Sequence, residues 1–233
     1  MRLAVIVPWG EGAAAGLATL RALQDLRRSG HRIIVVDGSG TAKGAGLLAD
    51  RVVYAPAGWS RQANAGSRAP EAEIADALLF VPPGVQLPPR AGRCIARALA
   101  GGPSPWGRFN VQYRHARGLW PLPLALAAAL SNALARWTGL CTREQAIFVA
   151  RGAFLAIGGF APVDPLRDPR ADATTELEFS RWAKRLGRPC VARGHATVDA
   201  PPVDGLVPLL RGLAQREARR LHRAAAALPD RAR

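Results

Sequence analysis

Leu3-Ala4-Val5-Ile6-Val7-Pro8 and Ile33-Ile34-Val35-Val36-Asp37-Gly38 decide the fold of this chain. Each is a continuous apolar run stopped by a turn residue, and strands covered by helices on both faces read this way because neither face meets water. Between the runs Leu17, Leu20, Leu23 and Leu26 recur every three residues with arginines opposite, which predicts an amphipathic helix lying on a sheet. Strand, helix and strand within about 35 residues imply parallel neighbours, since parallel strands need a crossover connection.

Working outward, Val52 to Ala55 reads as a short strand, Ser60 to Arg68 as a helix with Ser60 as its cap, Ala77 to Val81 as a strand, and Pro89 to Ala100 as a helix. Residues 1–100 are therefore expected to be doubly wound α/β. After Gly101-Gly102-Pro103 the pattern changes. Arg108 to Tyr113 alternates polar and apolar residues, as a half-exposed strand does, and an apolar helix is expected over Leu124 to Trp137. A strand over Gln145 to Ala150, a helix near Glu176 to Leu186 and a late strand around His195 complete residues 101–200. The tail, 201–233, sets Leu206, Leu210, Leu213 and Leu221 against Arg216, Arg219, Arg220 and Arg223. This predicts a basic amphipathic helix, read either as a contact for an anionic membrane or as the solvated face of an ordinary packed helix.

The 233 residues fit one domain, and 49% hydrophobic residues supply a core. The formal net charge of +15 comes almost wholly from arginine, since lysine occurs only at Lys43 and Lys184. Arginine forks onto phosphate and carboxylate, which points to a nucleotide diphosphate, nucleic acid or an anionic membrane surface; nucleotide bias in a genome gives the same composition, so charge alone selects none of them. Cys94, Cys141 and Cys190 have no CxxC spacing, which fits a reducing compartment and no zinc site. The apolar N-terminal run is too short for a signal-peptide core, so a cytoplasmic location is expected. Leu119 to Ala135, interrupted by Pro121, Pro123, Ser131 and Asn132, falls short of the roughly 20 residues a membrane span needs and reads as a buried or surface-docked helix. The four histidines have no metal-ligand spacing, and no helix-turn-helix or RNA-binding signature accompanies the charge, so no specific nucleic-acid partner is expected.

In an open parallel sheet, ligands bind beyond the carboxyl ends of the strands. The loop after Val36 reads Asp37-Gly38-Ser39-Gly40-Thr41, where an acid suits a ribose hydroxyl or a base N–H; a turn-forming Asp-Gly is the alternative. The next loop, Gly58-Trp59-Ser60-Arg61-Gln62-Ala63-Asn64-Ala65-Gly66, places Arg61 near a helix N-terminus, suited to a phosphate or else a surface arginine.

Taken in order, Val5-Ile6-Val7-Pro8, Val35-Val36-Asp37-Gly38, Ala55-Pro56, Arg61-Gln62-Ala63-Asn64-Ala65-Gly66, Gly107-Arg108-Phe109, Gln145-Ala146-Ile147-Phe148-Val149, Gly158-Gly159-Phe160 and Glu178-Phe179-Ser180-Arg181 form an ordered set. This set resembles family 2 glycosyltransferases, in particular the small bacterial branch associated with radical-SAM and arsenosugar genes. The resemblance implies a GT-A fold, a Rossmann-like, mostly parallel sheet flanked by helices. It would bind a nucleotide-sugar donor with residues 1–100 and an unidentified hydroxyl acceptor with residues 101–200. By the same resemblance Pro8, Glu11, Asp37, Arg61 and Asn64 are nucleotide-binding candidates, and Glu176 is the catalytic base. Glu144 and Gln145 are further candidates. Trp9 either stacks on a base or packs.

Two departures from the family pattern bear on chemistry. Family members end the fourth strand in an acidic motif that holds a divalent metal, magnesium or manganese, whereas this chain reads Phe80-Val81-Pro82-Pro83-Gly84-Val85 with no carboxylate. Arg61, Lys43 or Arg90 would then have to neutralise the departing diphosphate, giving a metal-independent transferase. Thr175-Glu176 stands where the family has Glu-Asp, moving the base by about 1 Å. The alternative expectation is a catalytically impaired domain that binds a nucleotide or a partner without turnover.

Overall fold

The computed structural model describes residues 1–10, 13–114, 121–161, 163 and 175–199. Glu11 and the tail helix expected over 201–233 lie outside the described residues. The strands are β1 (Leu3–Trp9), β2 (Arg32–Asp37), β3 (Arg51–Tyr54), β4 (Ala77–Phe80), β5 (Val85–Gln86), β6 (Trp106–Arg114), β7 (Phe148–Ala150) and β8 (Cys190–Asp199). Around them lie α1 (Ala13–Ala22), α2 (Gln24–Arg28), α3 (Trp59–Ser67), α4 (Pro70–Glu73), α5 (Ala91–Gly101), α6 (Pro121–Thr138), α7 (Arg151–Ile157) and α8 (Thr175–Ala183).

These strands form one eight-stranded sheet in the order β3-β2-β1-β4-β7-β6-β8-β5. The half built from residues 1–80 is parallel throughout, as the apolar runs predict. Beyond β4 the sheet is mixed: β7 runs antiparallel to both β4 and β6, β8 is parallel to β6, and β5 pairs antiparallel with β8 at the far edge. The sheet curls enough that Gly84, just before β5, donates its N–H to Thr19 Oγ1 on α1 at 2.9 Å.

Alternate residues of each central strand feed opposite cores. Val5, Val7, Ile33 and Val35 join Leu20, Leu23 and Leu26 on one face, while Ile6, Ile34, Val36 and Phe80 join Trp59, Phe154, Phe160 and Phe179 on the other. The leucine repeat thus faces the sheet as expected, although the helix carrying it breaks at Leu23 into α1 and α2. Two other expectations are corrected. Gly58, not Ser60, caps α3, because its φ of 127° turns the chain into the helix; Ser60 is fully buried in the first turn. Arg108 is also fully buried rather than half-exposed, with its guanidinium bonded to the Phe109 carbonyl, the Asn110 side chain and the Asn132 carbonyl.

The second core sets the position of α8. Phe179 stacks tilted on Phe160 at 4.7 Å and meets Phe154 at 5.8 Å and Trp106 at 6.1 Å. Each such aromatic pair contributes about 0.5–1.5 kcal/mol beyond burial. Because residues three apart share a helix face, anchoring Phe179 also directs Glu176 inward.

Candidate functional site

The carboxyl ends of the parallel strands carry one register row, Trp9–Asp37–Tyr54. Asp37 closes the loop that follows it. Its Oδ1 accepts the backbone N–H of Ser39 and of Gly40, both at 2.9 Å, and its Oδ2 accepts that of Ala42 at 3.0 Å. Burial alone would raise the pKa of this carboxyl, but the N–H groups of Ala42, Ser39 and Gly40, with the Ser39 hydroxyl, outweigh it and hold Asp37 below the ordinary carboxylate range. Asp37 is therefore an anion whose charge shapes the loop from within.

Gln62, buried on α3, donates from Nε2 to the carbonyls of Trp9 at 2.7 Å and Val36 at 2.6 Å, tying the third loop to the first two. Gly38 fills the contact: a Cβ there would lie 2.9 Å from the Ala57 backbone and from Gln62 Nε2. Trp9 packs inward, nearly fully buried, against Gly16, where a Cβ would approach its ring to 2.4 Å. Of the two expectations for Trp9, packing is what the structure shows. Pro8 is likewise buried inside β1, and Tyr54, which sequence reading passed over, is 77% exposed at the end of the row.

Asn64 is placed on the inner side of α3 and uses both ends of its amide on one residue. Nδ2 donates to the Phe160 carbonyl at 2.8 Å, and Oδ1 accepts the Phe160 N–H at 3.0 Å. Arg61 sits half-buried in the first turn of the same helix. Gln145 is fully buried and forms a capping box with Thr142, which again fixes backbone.

Glu176, in the first turn of α8 and 4% exposed, meets the 310 turn Arg143–Gln145. Arg143 donates from Nε to Oε1 at 3.3 Å and from Nη2 to Oε2 at 3.1 Å, a two-pronged ion pair. The other side of its guanidinium lies over the Trp59 ring, 5.0 Å from the centroid. Burial is the largest influence on Glu176 and raises its pKa; Arg143 opposes this, and the neighbouring Glu144 charge adds to the rise. The structure thus joins Glu176 through Arg143 to Trp59 at the start of α3, the helix that carries Arg61, with Glu144 next to Arg143 in the same turn. Arg143 was absent from the sequence-based candidates. Its adjacency to Glu144-Gln145 is visible in sequence, but its partner is 33 residues away.

A divalent cation of the magnesium or manganese type takes oxygen ligands, mainly carboxylates. The chain leaving β4 offers buried Val81 and Pro82, then Pro83 and Gly84. Among the described residues no group of three His, Cys, Asp or Glu side chains could hold a metal, and the only acid in the strand-end row is committed to backbone N–H groups. These residues do not fit such an ion. Of the cations proposed to replace it, Arg90 lies elsewhere, lining a cavity of about 770 Å³ with Met1 and His31, which precede β1 and β2 and so mark the amino ends of the strands.

No protein-family model and no curated protein matches this chain in sequence. Solved structures do match in shape. The first 349 residues of TarS from S. aureus, also determined with UDP-GlcNAc and with UDP, superpose with a TM-score of 0.59 at 14% identity, covering 94% of this chain and 68% of that one. A mannosyltransferase from Pyrobaculum calidifontis, in complex with GDP-Man and Mn2+, gives 0.58 at 15% identity over 96% of this chain and 64% of its own. Glucosyl-3-phosphoglycerate synthase from Mycobacterium tuberculosis, with Mn2+, UDP and phosphoglyceric acid, gives 0.57 at 21% identity over 98% and 80%. The fold is therefore the GT-A fold of these glycosyltransferases, with a mixed eight-stranded sheet.

Proposed function

We propose that this protein transfers a sugar from a nucleotide-sugar donor to a hydroxyl acceptor without a resident divalent metal. The observation that carries the reading is the buried Glu176–Arg143–Trp59 assembly at the ligand-binding end of a fold shared with enzymes crystallised with UDP-GlcNAc and GDP-Man. The donor nucleoside lies at the Trp9–Asp37–Tyr54 row, where the rigid Asp37 loop presents backbone atoms to it. The diphosphate is met by Arg61 and Lys43, whose positive charge offsets the charge that develops on the leaving group. Glu176 takes the proton of the acceptor hydroxyl as that oxygen attacks the anomeric carbon. Burial raises its basicity, and the Arg143 guanidinium opposes that rise by favouring the carboxylate form and fixes its orientation.

One observation favours a second reading, nucleotide binding without turnover. Both carboxylate oxygens of Glu176 are engaged by Arg143, and a base so held must exchange a partner before it reaches an acceptor. Calorimetric titration of UDP, GDP and their hexose conjugates, once with manganese and once with EDTA, separates these outcomes. The proposal expects equal affinity in both conditions and donor turnover that falls about a hundredfold or more in Glu176→Gln. Binding that requires manganese overturns metal independence, undiminished turnover in Glu176→Gln removes it as base, and affinity without turnover establishes the second reading.

A further inference from the structure

The outer face of α6 does not fit water. Its inner face is pinned to β6 by Asn132, which donates from Nδ2 to the Val111 carbonyl at 2.9 Å and accepts the Val111 N–H on Oδ1 at 2.8 Å. Opposite, Ala125, Leu126, Ala129, Leu130, Ala133 and Trp137 are exposed at the spacing of one helical stripe. Leu126 is 66%, Leu130 52% and Trp137 73% exposed. No charged residue occurs between Pro121 and Ala135, so the stripe lacks the lysines and glutamates that solvate an ordinary surface helix. Its apolar area is on the order of 400 Å², the size at which an exposed patch on a monomer is usually functional.

What borders the stripe selects its occupant. Arg136 ends it, and Lys184 reaches over from the turn after α8, donating from Nζ to the Thr138 carbonyl at 2.8 Å. Beside Lys184, Trp182 is 51% exposed with the Arg185 guanidinium 4.4 Å above its ring, and Arg181 and Arg188 are exposed as well. No carboxylate occurs from Phe179 to Arg188. Apolar leucines, two exposed tryptophans and a border in which cations outnumber the single partly exposed acid, Glu178, are the composition of a surface that lies in a membrane interface. A second copy of this chain would bring cations against cations.

We infer that α6 is the docking face of this protein for an anionic lipid surface, with Leu126, Leu130 and Trp137 entering the headgroup boundary and Arg136, Lys184 and Arg185 meeting lipid phosphates. The inference stands apart from the transfer reading and locates membrane contact on α6 rather than in the tail.

The test is co-sedimentation of the full chain with vesicles of phosphatidylcholine alone and of phosphatidylcholine mixed with phosphatidylglycerol. Wild type is expected to bind the anionic vesicles selectively and to weaken as salt rises from about 0.1 M to about 0.5 M. Leu126→Glu with Leu130→Glu, at positions already open to solvent, is expected to lower that binding about tenfold or more while circular dichroism stays unchanged. Quenching by brominated lipid supplies a second readout should that variant misfold: wild type is quenched, and Trp137→Phe loses a resolvable part of the quenching. Failure of wild type to bind anionic vesicles overturns the inference. So does unchanged binding by the double variant, which would place the contact in residues 201–233, or absence of lipid quenching. An oligomer that the double variant dissociates, without vesicle binding, overturns it in favour of self-association.

Discussion

Replacing Arg143 by methionine tests how the buried charge of Glu176 is held. Methionine fills the space of the aliphatic stem but removes the guanidinium, which bonds both carboxylate oxygens and lies over the Trp59 ring. Removing one partner of a buried pair typically costs about 3–5 kcal/mol, because the remaining charge is stranded in a poorly polarisable surrounding. Arg143 is 25% exposed on its side chain and Glu176 6%, so water offsets part of the loss and the low end, about 3 kcal/mol near pH 7.5, is expected. For a chain of this size that lowers Tm by roughly 6–12 °C.

The pH dependence carries the sharper signature. The folded pKa of Glu176 lies above its unfolded value of about 4.3, so its contribution to stability is intact below that value and falls as pH rises toward the folded pKa. Without Arg143 the folded pKa rises further, the window widens, and up to about 1.4 kcal/mol is lost per pH unit within it. Urea denaturation of wild type and variant should therefore give a difference at least about 1 kcal/mol smaller at pH 5 than at pH 7.5. Adding Glu176→Gln to Arg143→Met should recover most of the loss. A destabilisation equal at both pH values, or a double variant no more stable than the single one, would refute the ion-pair account.

Asp37→Ala should free the N–H groups of Ser39, Gly40 and Ala42, costing about 2–3 kcal/mol and about tenfold or more in nucleotide affinity. Because the pKa of Asp37 is depressed in the fold, its charge adds stability that is present above the unfolded carboxylate pKa and is lost as pH falls through the lower folded value. The gap between wild type and variant should therefore narrow with acidification, which urea titration against pH checks. Asn64→Ala should leave both Phe160 backbone groups unpaired and cost about 2 kcal/mol; a loss under about 0.5 kcal/mol in urea would show that water replaces the amide. Gly66→Val places a Cβ 2.6 Å from Ile6 Cγ2 and 2.9 Å from Val36 Cγ2. Differential scanning calorimetry should show a loss of at least about 1–3 kcal/mol from overpacking, with Gly66→Ala intermediate.

Local pattern determined the parallel half of this protein. The runs at Leu3–Val7 and Ile33–Val36 and the leucine repeat between them are periodicities of residues near in sequence, and burial on two faces writes itself directly into composition. The same reading located the carboxyl-end loops, the acid at Asp37 and the carboxylate-free segment after β4. It did not find the antiparallel setting of β7 or the return of β5 to β8, because two- and three-residue strands are too short to show a period. Nor did it reveal what each candidate side chain does. Asp37 and Asn64 read as nucleotide-binding candidates and Gln145 as a further candidate. What the sequence did not show is that each hydrogen-bonds within the protein, Asp37 and Asn64 to loop backbone and Gln145 to Thr142 and Asn132. Asn64 finds Phe160 across 96 residues and Arg143 finds Glu176 across 33. Such partners are chosen by which elements the two cores press together, and that choice belongs to the tertiary structure alone. The exposed stripe of α6 follows the same rule: its sequence says apolar, and only packing shows which apolar face was left without a neighbour.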